Sequence, residues 1–275
     1  VLGSADDADS VVGRQLGYWT TQLAGLPDVL ELPADRPRPQ VASHRGDVVN
    51  TEIPAEIGDR IVDIAQRYGV TPFMVVHAGF ATLLSRLSAT DDIAVATPIA
   101  GRGDRVLDPL VGMFVNTLVL RTQIAPGESF ADFLGRVRVT DLDAFGHADL
   151  PFESLVEALD PVRSEAFSPL AQVMLSFDPA ASVADAGVSV AGLQVGALPT
   201  RTAAQLDLSF EVSSGAAGQG WPIAAIFATD LYDADTVATM VERLVRILDA
   251  VTPDPPAPVG DIPPTGDDTP RPAAP

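Results

Sequence analysis

No cysteine occurs in the 275 residues, and no lysine either: all 17 basic residues are arginine. The first absence rules out disulfides, thiolate metal sites and a cysteine nucleophile. The second removes a phosphate-loop lysine, a Schiff-base lysine and a lysine-dependent adenylating site. Positive charge is scarce beside 37 acidic residues, and the formal net charge of −20 argues against nucleic acid or an anionic membrane as partner. Histidine is limited to His44, His77 and His147, in unrelated stretches, and none stands at metal-ligand spacing from another. HExxH, GxSxG and GxGxxG are missing, so no metal site is expected. The first residues lack the basic and apolar regions of a signal peptide, which makes a soluble, cytoplasmic protein the expectation.

What is present is a folded body: 47% of the residues are hydrophobic, enough for one large core or two modest ones. One almost wholly apolar stretch, Val111 to Arg121, is rich in β-branched residues and too short for a membrane span. It reads as a buried central strand. Gly112 removes a side chain where something approaches the backbone, and Asn116 places an amide in the apolar run. A buried amide needs partners, either from neighbouring backbone or from a ligand.

Helices and strands alternate from about residue 48 to 251, which predicts one α/β body. Residues 1–15 are small and acidic and read as a connector, followed by helical spacing at Trp19, Leu23 and Leu26. Pro33 to Pro39 is too proline-rich for regular structure and should run extended, its two arginines solvating the loop. A strand over 48–53 leads to a helix opened at Pro54 and stopped at Gly69, then to a deep apolar helix capped by Thr71. His77, within that helix, reads as a packed core residue. Ser129 and Asp132 cap a further helix, and Pro151 and Glu153 suit the first turn of a short one. Residues 170–177 read as a strand; Leu206, Leu208, Phe210 and Val212 alternate with polar residues, a half-buried strand pairing with 222–229. Asp233 should cap the last helix, and the Pro/Asp-rich stretch 253–275 should be a disordered linker. Gly101-Arg-Gly-Asp104 is a tight turn without the lysine that a phosphate cradle needs, and no pair of carboxylates can be assigned acid–base work.

Taken together the stretches resemble the condensation domains of nonribosomal peptide synthetases. Val111-Gly-Met-Phe-Val-Asn-Thr117 with Arg121 is similar to VGxFVNTxxxR, and His147-Ala-Asp-Leu-Pro-Phe-Glu-Ser-Leu-Val156 to HQDLPFExLV. Arg163-Ser-Glu-Ala-Phe-Ser-Pro-Leu-Ala-Gln-Val173 is similar to RDxSxxPLFQV, with Ala171 at the usual phenylalanine. The flanks Gln15-Leu-Gly-Tyr-Trp19, Leu32-Pro-Ala-Asp-Arg-Pro-Arg-Pro39 and Thr97-Pro-Ile-Ala-Gly-Arg102 agree in order.

The resemblance implies a chloramphenicol acetyltransferase-like fold, in which two lobes form a V around a tunnel for two carrier-bound substrates. The HHxxxDG motif of the first lobe supplies the catalytic histidine, and this sequence has no His-His pair. The expectation is a C-terminal lobe over residues 16–252, a mixed central sheet flanked by helices, with no catalytic residue of its own and inert alone. Implied partners are the N-terminal lobe, donor and acceptor carrier domains with their 4'-phosphopantetheine arms, and an adjacent adenylation domain. Gly112, Phe114, Asn116, Gln172 and Ser176 are the implied tunnel residues, and Arg102 the residue that pairs with the motif aspartate of the other lobe. Residues 179–204 are expected to cross toward that lobe. His147 reads as a helix-entry residue. Asp178-Pro179 departs from the Gln-Asn of many relatives. A non-catalytic carrier-binding scaffold and an epimerisation-type relative are the alternatives.

Overall fold

In the computed structural model, residues 3, 7–101, 106, 109–179, 202–253, 255 and 258–262 are described. Arg102 and most of the expected crossing segment lie outside these residues. The elements run α1 (Val11–Gln22), β1 (Gly46–Ile53), α2 (Ala55–Tyr68), α3 (Pro72–Ser88), β2 (Asp92–Ile99), β3 (Asn116–Gln123), α4 (Phe130–Gly146), α5 (Phe152–Leu159), β4 (Val173–Asp178), β5 (Leu208–Ser213), β6 (Trp221–Ala228) and α6 (Ala234–Val251). The six strands form one mixed sheet in the order β1-β6-β5-β4-β2-β3. β4 runs parallel to β2 and β5, and the other pairs are antiparallel.

Local chemistry accounts for the element ends. The Ser129 hydroxyl accepts from the Asp132 N–H at 3.1 Å, and Gly69 closes α2 at φ +65°. Trp221, Ile223, Ala225 and Phe227 of β6, with Leu208, Phe210 and Val212 of β5, point one way. They meet the buried stripe of α6 and the apolar body of α3 in the main core. The two helices cross so closely that a Cβ on Gly79 would lie 2.7 Å from Leu248. Burial of this kind contributes on the order of 25 cal/mol per Å² of apolar surface, making α3 and α6 the structural spine.

Five expectations change. The run Val111–Arg121 is not one central strand: only Asn116 onward is extended, and β3 lies at the sheet edge, paired to β2 alone. Val111 is fully exposed and Met113 is 89% exposed, because no element among the described residues covers them. The expected strand over 170–177 begins only at Val173, since Leu170 takes a left-handed φ of +66°. Val11 to Gln15 is helix rather than connector, with Gln15 buried. Arg36 and Arg38 do not merely solvate their loop: Arg36 pairs with Asp233 and Arg38 makes a two-pronged bond to Asp207. Asp233 makes no side-chain cap; Asp35 accepts from the Asp233 N–H and the Thr236 hydroxyl instead.

The linker is also partly structured. Val259 and Ile262 are only 3% and 4% exposed and join the main core. The Val259 and Gly260 N–H groups donate to Glu128 O and Pro126 O at 2.8 Å, and Arg86 donates to Val259 O. Proline and aspartate content pointed to disorder, but two buried apolar side chains seat the described part of this segment. Among the described residues no single helix is long and apolar enough to cross a membrane.

Candidate functional site

One face of the sheet is covered end to end by α2, α3, α4 and α6; the other is covered only in part. Around β2 and β3 a second core of Trp19, Leu23, Ala94, Ala96, Leu118, Leu120 and Leu155 packs beneath α1 and α5. Across β4, β5, β6 and β1 the alternate residues carry no helix among the described residues. Registers align Ser176 with Glu211, Glu211 with Ala224 and Ala224 with Asn50, a row across four strands in which all but the alanine are polar. Met174, Ser209, Ile226 and Val48 form the adjoining row. No histidine stands on these strands, so Ser176 has no imidazole in its row to activate it as a nucleophile.

The upper end of this face, where β2, β4 and β5 finish and β3 begins, is held by interlocking loops. Asn116 Nδ2 donates to the carbonyls of Ala148 and Leu150 at 3.0 and 2.9 Å. Its Oδ1 accepts from the Thr117 and Phe152 N–H groups at 2.9 and 3.1 Å. Both donors and both lone pairs are thus committed to backbone. The same 147–152 loop takes three bonds from α1. Trp19 Nε1 donates to His147 O, Gln15 Nε2 donates to Asp149, and Gln15 Oε1 accepts from the Leu150 N–H, each at 2.8 Å. Tyr18 stacks on the His147 ring at 3.9 Å between centroids. His147 ends α4 rather than opening α5, its Nδ1 bonded to Asp143 O at 2.7 Å.

Burial first, then the charges of Asp143 and Asp141, push the Tyr18 phenol up to about 12. A phenol whose folded pKa is raised favours folding below the unfolded value near 10, and that contribution is lost as pH rises toward the folded one. Stability should therefore fall between about pH 10 and 12 in wild type and less steeply in Tyr18→Phe, as followed by circular dichroism. Equal slopes would show the phenol to be solvated.

Gln172 lies just before β4 and is also committed. Its Oε1 accepts from the Leu30 N–H at 2.8 Å, and its Nε2 donates to Asp28 O and Ser168 O at 3.0 and 2.8 Å. Gly112 meets no backbone; a Cβ there would lie 3.2 Å from the Phe114 ring. Close approach is required at Gly101 instead, with φ +60° and Phe114 O 1.8 Å from where a Cβ would stand. His77 is a packed core residue, fully buried, its Nδ1 3.0 and 3.2 Å from the two oxygens of buried Asp141. That pair joins α3 to α4 behind the sheet. Among the described residues no group of three His, Asp or Glu is placed to hold a metal ion.

Beside Gln172, a cavity of about 190 Å³ is lined by Leu26, Leu30, Ala94, Leu170 and Ala171. Ala171 stands where the motif carries phenylalanine, so Ala171→Phe is expected to fill space and raise stability by about 0.5–2 kcal/mol. A lower Tm on differential scanning calorimetry would mean the ring overpacks the loop.

The profile of the family described as "Condensation domain" matches residues 8–270. The chain is 45% identical over 260 residues to the probable non-canonical nonribosomal peptide synthetase CymA of Salinispora arenicola, covering 93% of this chain and 3% of that protein. It is 43% identical to the isonitrile lipopeptide synthase of Mycobacterium tuberculosis, covering 95% of this chain and 10% of that one. Among solved structures it matches the X-domain from teicoplanin biosynthesis with a TM-score of 0.86 and 28% identity, covering 93% of this chain and 58% of that one. A four-domain nonribosomal peptide synthetase bound to AMP and glycine matches with a TM-score of 0.85 and 26% identity, over 96% of this chain and 21% of that one. The chain therefore spans little more than half of the X-domain chain and a small part of the synthetases.

Proposed function

The chain belongs to the condensation-domain family, whose function is amide-bond formation in peptide synthesis, and from that premise we propose that it is the C-terminal lobe of such a domain, inert by itself. The observation that carries the reading is the half-covered sheet. Among the described residues no helix lies over the face bearing Ser176 and Glu211, and beyond its upper end Val111, Met113 and Val115 stand bare. Contiguous exposed apolar surface of this kind marks an interface. The N-terminal lobe would cover it and leave a tunnel between the lobes. Gly112, Phe114 and Ser176 then line the wall, while Asn116 and Gln172 brace it through the backbone bonds described above. Arg102 would reach the motif aspartate across the gap.

The chemistry this lobe can supply is positional. The acceptor amine, held on one carrier's 4'-phosphopantetheine arm, attacks the donor thioester on another; the amide bond forms and the thiol leaves on its arm. The catalytic histidine comes from the other lobe. This lobe's part is to restrict the two arms to one channel, where effective concentration supplies much of the rate. An adjoining adenylation domain and a cytoplasmic setting follow from the same reading.

Mixing the purified chain with loaded donor and acceptor carriers should give no dipeptide, and supplying the first lobe should give product. Product from the chain alone would sink the proposal. A second reading, a non-catalytic docking module, draws on the likeness to the X-domain, which has been solved in complex with OxyB. Micromolar carrier binding by the chain alone, with no product after the first lobe is added, would favour it.

A further inference from the structure

At the lower end of the sheet, where β6 ends and β5 begins, residues 38–44, 164–169 and 204–207 enclose a cavity of about 550 Å³ that no role assigned above uses. Its size is that of a site for a small organic molecule, which typically runs about 300–1,000 Å³. Val41, Phe167, Leu206 and Leu231 give it an apolar lining.

The polar groups on its walls are unequal in what they leave free. Arg38 spends its charge on Asp207: its guanidinium bonds to both oxygens of that carboxylate and to Ala166 O, and lies over the Phe167 ring at 5.9 Å. Asp230 is committed as well, accepting from the Ser43 N–H and hydroxyl at 2.8 Å and from Arg45 at 3.4 Å. Those bonds hold its carboxyl below the usual range. Glu165 is different: its carboxylate makes no hydrogen bond or ion pair with a described residue, and it stands exposed on the wall. His44 adds an acceptor. Its Nδ1 lies 3.3 Å from Ala204 O and so donates there, which leaves Nε2 with a lone pair whenever the ring is neutral. His44 itself sits at φ +55°, an uncommon conformation for a residue with a side chain, clamped by the Ala204 N–H on His44 O.

Carboxylate and imidazole groups therefore stand on a partly apolar wall, and the one arginine that lines it among the described residues, Arg38, is paired with Asp207. A carboxylate or phosphate ligand meets the unpaired Glu165 charge there, whereas an ammonium finds acceptors and a net charge of −20 behind them. We propose that this cavity binds a small amphiphilic amine, its ammonium on Glu165 and His44 and its aliphatic or aromatic body on Phe167, Val41 and Leu206. The site lies at the end of the sheet opposite Asn116.

Isothermal titration of the whole chain with 4-phenylbutylamine, 4-phenylbutanol and 4-phenylbutanoate tests it. The amine should bind saturably with a submillimolar Kd, at least tenfold tighter than the carboxylate. Glu165→Gln, an exposed change that leaves the fold alone, should weaken the amine at least fivefold and the alcohol hardly at all. Ala42→Trp, which fills the cavity, should abolish both. No saturable binding to wild type, equal affinity for amine and carboxylate, or an unchanged Kd in Glu165→Gln would each overturn the proposal. Glu165→Gln decides the matter even where the Trp variant does not fold.

Discussion

Asn116→Ala should lower stability by about 2–4 kcal/mol while leaving turnover per folded molecule unchanged in the two-lobed domain. Truncation leaves the carbonyls of Ala148 and Leu150 and the N–H of Phe152 without their partner, at about 1–3 kcal/mol for each buried group. These groups are only partly buried, which puts the total at the low end of the sum. At about 2–4 °C per kcal/mol for a chain of this size, Tm should fall by roughly 5–15 °C. Asn116→Asp is the sharper test. It keeps the shape and the two accepting bonds but turns an oxygen toward two carbonyls, so it should be no milder than Ala. A Tm change under about 2 °C with a tenfold loss of turnover would show that the amide serves substrate rather than backbone.

The identity of the motif residues was legible, but much of their work was not. From Val111–Arg121 alone, apolar composition implies burial. Composition cannot say which surface does the burying, and no described residue buries Val111 or Met113. The Asn116 amide left backbone and ligand both open because its acceptors lie 32 and 34 residues downstream, in a different motif. Strands β5 and β6 were readable to within two residues, since alternation is a local property that one covered face enforces. Helix α6 was readable for the same reason at a different period. The 258–262 segment was not: proline and aspartate content pointed to disorder, yet Val259 and Ile262 find their pocket through contacts that no local pattern encodes.

The two arginines of Asp35-Arg-Pro-Arg38 show how burial separates residues that sequence cannot. Arg36→Met should cost no more than about 1 kcal/mol, because Arg36 and Asp233 are 44% and 58% exposed and water screens the pair. Arg38→Met should cost about 3–5 kcal/mol. It strands Asp207, only 6% exposed, whose carboxylate receives 2.8 and 2.5 Å bonds from the guanidinium. Asp207 also faces Tyr232, whose phenol is held well above its ordinary range, by burial first and then by the Asp207 charge. With Arg38 gone, no cation offsets that charge. Asp207→Ala should be milder, because Arg38 keeps its bond to Ala166 O and a quarter of its side chain reaches water. The double variant Arg38→Met with Asp207→Leu should recover to within about 1–2 kcal/mol of wild type, since removing both charges removes the desolvation penalty with the attraction. Urea midpoints at constant m-value measure all four proteins on one scale. A cost below about 1 kcal/mol for Arg38→Met would place this pair with the solvated bridges, and a double variant no better than Arg38→Met would mean that shape, not charge, holds β5 to the extended segment.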